Sequence, residues 1–163
     1  MSIAGGMPLA IERGESIGCT AVQIFLKNSN QWRGKPIGED EATEFKRRLA
    51  QGKVRSIFAH DSYLINLASP KDALYKKSID AMVDEIERAA QLGVPFIVIH
   101  PGSHVGEGEE WGLKRVVAGI DEAFVRTPDA KVRIAFEVTA GQGTNLGRRF
   151  EKIAYLIENE GEG

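Results

Sequence analysis

The sequence has one cysteine, Cys19, in 163 residues. A single thiol cannot close an internal disulfide, which excludes a disulfide scaffold and favours a reducing compartment such as the cytoplasm. No apolar run comes near the ~20 residues needed to cross a bilayer, and no charged stretch precedes an apolar one at the N-terminus, so neither a membrane helix nor a secretion leader is expected. Neither sign of charge dominates: 21 Lys and Arg stand against 23 Asp and Glu, a net charge of −2. No global basic field therefore announces a nucleic-acid partner, and only a local patch could serve one. There is no internal repeat and no low-complexity stretch. What is present is ordinary for a globular chain, with 42 % hydrophobic and 27 % charged residues, and this excludes disorder, collagen and coiled coil. At ~150 residues per domain, the length corresponds to one domain with a sizeable core.

Four short apolar, β-branched runs stand out: Thr20–Leu26, Val54–Ala59, Pro95–His100 and Lys131–Phe136. They read as near-continuous hydrophobics, the pattern of parallel strands covered on both faces. Helical periodicity fills the intervals. Leu9 to Ile17 follows Gly5-Gly6, with Pro8 suited to a first helical turn. Glu39–Gln51 carries Phe45 and Leu49 four apart. Ala73–Leu92 places Leu74, Ile79, Met82, Val83, Ile86 and Ala90 on one stripe and stops at Gly93. Trp111–Val125 repeats the theme, and Phe150–Asn159 carries Ile153, Leu156 and Ile157. Strand and helix thus alternate throughout, which predicts an α/β chain of about four parallel strands with right-handed crossovers. An open doubly wound sheet and a closed barrel both fit that order. The first needs a Gly-rich phosphate loop straight after a strand, and Lys27-Asn28-Ser29-Asn30 and His60-Asp61-Ser62-Tyr63 stand there instead.

In both architectures the chemistry sits at the carboxyl ends of the strands. All three histidines of the chain fall in those segments. His60, His100 and Glu137 occupy matching places immediately after three successive apolar runs. Each alone reads as an ordinary polar cap on a buried strand. Together, two imidazoles and a carboxylate at one rim make a divalent-metal site, with zinc the natural candidate. His104, deeper in a Gly/Ser loop, suits an exposed or supporting position as well as ligation. Lys27, Arg33 and Lys35 form a basic cluster beside Trp32, and Arg148 and Arg149 form another. With Asn28, Gln31 and Tyr63 they have the composition to contact a phosphate backbone and stack on bases, the alternative being a solvated surface loop. Gly141-Gln142-Gly143 resembles a phosphate loop but lacks the following Lys-Ser/Thr pair, so a tight backbone turn explains it equally. Cys19 reads as a small packing residue and Trp111 as an ordinary core or lid aromatic.

Several segments together resemble the endonuclease IV family of apurinic/apyrimidinic DNA-repair enzymes. They are Ser2-Ile3-Ala4-Gly5-Gly6, Phe25-Leu26-Lys27-Asn28-Ser29-Asn30-Gln31-Trp32, His60-Asp61-Ser62-Tyr63-Leu64-Ile65-Asn66-Leu67, His100-Pro101-Gly102-Ser103-His104 and Glu137-Val138-Thr139-Ala140-Gly141-Gln142-Gly143. The resemblance implies a TIM (β/α)8 barrel with three zinc ions at its carboxyl face. It implies an endonuclease that hydrolyses the phosphodiester bond 5′ to an abasic site in double-stranded DNA, leaving a 3′-hydroxyl and a 5′-deoxyribose phosphate. Carried over, His60 and His100 bind one zinc and Glu137, the catalytic bridging ligand, joins it to a second. Tyr63 and Leu64 sit in a DNA-penetrating loop, and Asn28 in another DNA-contacting loop. The family's remaining ligands come from later strands, and a (β/α)8 barrel takes ~250 residues. Residues 1–163 are therefore expected to form a single incomplete barrel domain, the N-terminal half, able to ligate at most one zinc fully and weakly active or inactive alone. Asn30 stands where the family often has a basic residue, and Val138 where an asparagine is common. Two other readings remain: a single-metal sugar isomerase or epimerase of the xylose isomerase-like barrels, and a non-catalytic DNA-binding fragment.

Overall fold

A computed structural model describes residues 1–159. In chain order the elements are α1 (Pro8–Ser16), β1 (Ala21–Phe25), α2 (Glu39–Gln51), β2 (Ser56–His60), α3 (Asp72–Leu92), β3 (Phe96–Ile99), α4 (Glu109–Arg126), β4 (Arg133–Phe136) and α5 (Phe150–Asn159). Four parallel strands alternate with five helices, as expected. The strands begin one or two residues later than the apolar runs. Pro95 has no N–H to donate to a ladder, and Val54 is buried below the first paired residue of β2 while the N–H groups of Arg55 and Ser56 both reach the Thr20 carbonyl. Helix α3 stops where expected: Gly93 takes φ 70°, and the N–H groups of Gly93 and Val94 reach back to the Ala90 and Ala89 carbonyls.

The sheet order is β1-β2-β3-β4, parallel throughout. This order decides between the two candidate architectures. A doubly wound sheet must reverse its strand order at a switch point. Here the order never reverses, so crossovers of one hand place every helix on the same face, and each helix packs against the next. The result is part of a (β/α) barrel. Val22 and Ile24, Ile57 and Ala59, and Ile97 and Ile99 alternate toward the helices and are buried with Phe45, Met82, Ile86 and Ile120 in one core. The opposite face carries the intervening residues. Phe25 pairs with His60, His60 with Val98 and Val98 with Ala135, so these four form one row across the sheet. One pleat below, the Phe58 and Phe96 rings stack at 5.5 Å.

Two residues expected on the buried stripes lie outside them. Ala90 is exposed and Ala89 takes its place in the core, while Ile157 is 57 % exposed although Ile153 and Leu156 are buried. Both lie where a 3.6-residue period drifts off the edge of the buried stripe. Among the described residues, no helix is long and apolar enough to cross a membrane.

Candidate metal centre

His60 is the last residue of β2, while His100 and Glu137 each stand one residue beyond β3 and β4. Because Val98 is paired with both His60 and Ala135, the side chains two residues further on, His100 and Glu137, rise from neighbouring strands one pleat above His60. The Glu137 N–H still donates to the Ile99 carbonyl at 2.9 Å, which holds its backbone against β3. One donor atom from each of the three residues lies within 4.8 Å of the others. Ligands about 2.1 Å from a tetrahedral zinc stand about 3.4 Å apart, so a small rotation of the side chains suffices to close the set on an ion.

His60 is buried, and its two ring nitrogens have different partners. Nδ1 lies 2.9 Å from the Asp61 carbonyl oxygen and 3.3 Å from Asp61 Oδ1, and Nε2 lies 3.1 Å from Glu137 Oε2. A proton held on Nδ1 by Asp61 leaves Nε2 to face Glu137 and any ion between them. Burial alone would lower the His60 pKa, but the hydrogen bonds and charge of Asp61, joined by Glu137, outweigh it and raise it to about 9. Burial pushes the Asp61 carboxyl upward against the opposing pull of His60. Burial also pushes His100 down, helped by the positive His60 5.0 Å away, centroid to centroid, and opposed by Glu137. His100 Nδ1 is buried with no hydrogen-bond partner among the described residues. An orphaned imidazole nitrogen beside a second imidazole and a half-exposed carboxylate fits a borderline divalent cation. These three residues could hold a metal ion.

Tyr63 covers the set. Its ring packs on Phe25, His60 and His100 at 5.4, 5.4 and 6.3 Å, yet the residue is 62 % exposed. A large, supported and solvent-facing ring suits contact with a ligand. An open cavity of about 490 Å³ lies beside it, lined among others by His100, Glu137, Asn66, Ser103 and Thr139. Leu64, the next residue along, is half-buried. Asn28 does not reach this cavity. It is exposed, its Oδ1 accepts from the Asn30 N–H at 3.0 Å, and it lines a separate hollow of about 310 Å³ with Gln31 and Lys35. The two loops are nevertheless tied, because the Ser62 hydroxyl donates to the Ser29 carbonyl at 2.7 Å.

The basic cluster expected around Trp32 needs correction. Lys27 is 3 % exposed, and its Nζ lies 2.7 Å from Asp84 Oδ2 and 2.9 Å from Glu85 Oε1. It is a buried counter-ion to α3 rather than a surface cation, which leaves Arg33 and Lys35 exposed on that loop. Trp32 lies beneath Lys77, whose Nζ is 4.3 Å from the ring centroid. The glycine loop after β4 is a backbone turn. Gly141, Gly143 and Gly147 all have positive φ, and the amides of Thr139, Asn145 and Leu146 are used by Gly147, Gln142 and Gly102. His104 stands apart from the metal set, its Nδ1 accepting from the Gly108 N–H at 2.9 Å. Trp111, 36 % exposed, lies beside the Arg115 guanidinium on the surface of α4. Sequence reading did not single out Asp61, although a carboxylate next to a strand-end histidine is itself a signal for a supporting acid.

A strictly sequential parallel sheet, helices on one face and imidazoles with a carboxylate at the strand ends define part of a (β/α) barrel with a candidate metal centre. The chain belongs to the xylose isomerase-like TIM barrel family, whose sequence profile matches residues 11–162. Over 158 residues it is 49 % identical to the probable endonuclease 4 of Chloroflexus aurantiacus, covering 97 % of this chain and 55 % of that protein. It is 46 % identical to the probable endonuclease 4 of Geotalea daltonii over the same length and shares. The crystal structure of endonuclease IV from Thermus thermophilus superposes with a TM-score of 0.84 at 36 % identity, covering 96 % of this chain and 56 % of that one. A D-tagatose 3-epimerase-like protein superposes with a TM-score of 0.72 at 17 % identity, a likeness of fold. The chain therefore spans about half the length of the curated relatives it matches.

Proposed function

We propose that the chain carries the lesion-facing metal centre of a DNA-repair endonuclease acting in the cytoplasm on double-stranded DNA with abasic sites. The observation that supports this reading is the convergence of His60, His100 and Glu137 from three successive strands beneath the exposed ring of Tyr63. The relatives named endonuclease 4 and endonuclease IV add to it. In the proposed reaction a water oxygen bonds to phosphorus and the bond from phosphorus to the upstream 3′-oxygen breaks. The proton passes to that oxygen, leaving a 3′-hydroxyl and a 5′-deoxyribose phosphate.

His60, His100 and Glu137 would hold zinc, and Glu137 would also serve as a ligand shared with a second ion. Bound zinc would supply Lewis-acid stabilisation of the phosphate and a lowered water pKa. The remaining work falls to the chain's own groups. Asp61 fixes the His60 tautomer by accepting from Nδ1. Tyr63 and Leu64 would fill the space vacated by an extruded abasic nucleotide, which is cheap to extrude because it has no base to unstack. Asn28, Arg33 and Lys35, on the neighbouring loop, would track the backbone away from the ion. The strands described supply ligands for one ion, so residues 1–163 are proposed to act as one partial-barrel domain whose incision activity by itself is weak or absent.

The test is a titration of the 163-residue chain with zinc, followed by binding of a labelled duplex with and without a central abasic-site analogue. About one zinc per chain and tighter binding of the abasic duplex are expected. Equal binding of both duplexes, or selective binding of a monosaccharide in a parallel panel, would remove the DNA-repair reading in favour of a sugar-acting or non-specific one. Strong zinc-dependent incision by this chain would overturn the one-ion assignment.

A further inference from the structure

Three loops surround the candidate centre: residues 61–71 after β2, 100–108 after β3 and 137–149 after β4. The first carries Tyr63 and Leu64, the second begins at His100 and the third begins at Glu137. Among the described residues, every hydrogen bond between the first and second of these loops runs through one side chain, that of Asn66. Its Nδ2 donates to the Ser103 carbonyl at 3.0 Å, and its Oδ1 accepts from the Ser103 N–H at 2.9 Å. The carboxamide thus exchanges both bonds with one residue, as a residue of an adjacent strand would. Oδ1 also accepts from the Ala68 N–H at 3.1 Å, which fixes the side chain to its own loop, and the Asn66 backbone N–H donates to the buried Ser78 hydroxyl at 3.0 Å, which ties the loop backbone to α3.

From Ser103 the connection continues. Its Oγ lies 2.6 Å from Thr144 Oγ1, the His104 N–H donates to the Thr144 carbonyl at 3.2 Å, and the Leu146 N–H donates to the Gly102 carbonyl at 2.8 Å. The Thr139 hydroxyl closes the chain on the Leu146 carbonyl at 2.7 Å. The neighbouring backbone is shaped for this approach. Gly102 has φ 95°, and a Cβ there would stand 2.4 Å from Asn66 Oδ1.

We propose that Asn66 is a positioning residue that locks the three loops into one plate and so sets Tyr63 relative to His100 and Glu137. It rests on the proposed reading of Tyr63 as a DNA-contacting residue. No other uncharged side chain of this reach presents both a donor and an acceptor to one peptide group as asparagine does. Aspartate keeps the acceptors, loses the donor and sets a carboxylate against the Ser103 carbonyl.

The experiment compares the full 163-residue chain with its Asn66→Ala and Asn66→Asp variants by hydrogen-exchange mass spectrometry and by binding to the abasic-analogue duplex. In Asn66→Ala, exchange in 61–68, 101–108 and 139–147 is expected to rise together by about tenfold or more, while peptides of α1 and α2 keep the unsubstituted rates. Asn66→Asp is expected to show the same regional pattern with a smaller rise, and it carries the test should the alanine variant not fold. Affinity for the abasic duplex is expected to fall at least about fivefold in Asn66→Ala with zinc stoichiometry unchanged. A rise confined to 61–68, or spread evenly over the chain, would overturn the proposal, as would unchanged exchange in both variants. If the unsubstituted chain does not discriminate the abasic duplex, the DNA-repair reading fails by that result, and the exchange pattern alone then decides the role of Asn66.

Discussion

Lys27 offers the sharpest test of the interior, through Lys27→Met. Its side chain is 1 % exposed, and its ammonium lies 2.7 and 2.9 Å from the carboxylates of Asp84 and Glu85, the Glu85 side chain also being 1 % exposed. Methionine preserves the length of the stem and removes the charge. Asp84 keeps a partner, since Arg88 Nε lies 3.1 Å from it. The loss therefore falls on Glu85, whose Oε2 already has no hydrogen-bond partner among the described residues. Breaking a buried ion pair on one side costs about 3–5 kcal/mol. For a chain of this size that corresponds to a fall in Tm of roughly 6–20 °C. Urea denaturation at neutral pH measures it directly.

The variant also has a predicted pH signature. Burial raises the pKa of Glu85 even with Lys27 opposing it, so its carboxyl is harder to ionise in the folded chain than in the unfolded one. A raised carboxyl supports the fold below its unfolded pKa and loses that support as pH rises through the folded value. Lys27→Met removes a charge that opposes this rise. The gap between variant and unsubstituted chain should therefore narrow toward pH 4.5 and widen above it. Lys27→Met with Glu85→Leu should recover most of the loss, because replacing both members leaves neither of them as an uncompensated buried charge. A single variant as stable as an exposed control such as Lys53→Met, or a double variant worse than the single one, would refute the reasoning.

Removing any one of His60, His100 or Glu137 as alanine is expected to weaken zinc binding by about 100-fold or more, since three donors become two, and equilibrium dialysis reads it. Because His60 is held protonated up to about pH 9 without metal, an entering ion must displace that proton. Zinc affinity should accordingly rise with pH toward 9, by up to about tenfold per unit, and calorimetry in two buffers of different ionisation enthalpy should detect the released proton. Gly102→Ala combines a positive φ with a 2.4 Å clash against Asn66 Oδ1. A loss of about 1–3 kcal/mol is expected by urea denaturation, and it should shrink in an Asn66→Ala background.

The alternation of elements was legible because each strand is a short β-branched run and each helix a 3.6-residue stripe. The architecture was not settled by that alone, since strand order is a property of pairing and no local pattern encodes it. His60, His100 and Glu137 could be picked out because a strand end is a position that both sequence and fold define. Lys27 was misread for the opposite reason. A lone lysine after a strand looks solvated, and its acidic partners lie on α3, 57 residues further along the chain at Asp84. Asn66 gave no signal, because a polar residue in a loop is commonplace until the peptide it grips is in view. Ala90 and Ile157 show the remaining limit: periodicity finds the buried face but not its edges.

The monotonic order of the sheet has a consequence for synthesis. Among the described residues, each strand ladder joins β-strands that are consecutive in sequence, and the most extensive helix–helix contacts join consecutive helices. Among the four described strands, none has to wait for a distant strand to be inserted between elements already made. β2 can dock on β1 as soon as α2 has cleared the exit, and each later unit meets a surface already assembled. Loop-closure entropy is thus met in increments of one strand–helix–strand step instead of in one long-range event. The chain has the topology of a fold that grows at its leading edge while translation is still under way.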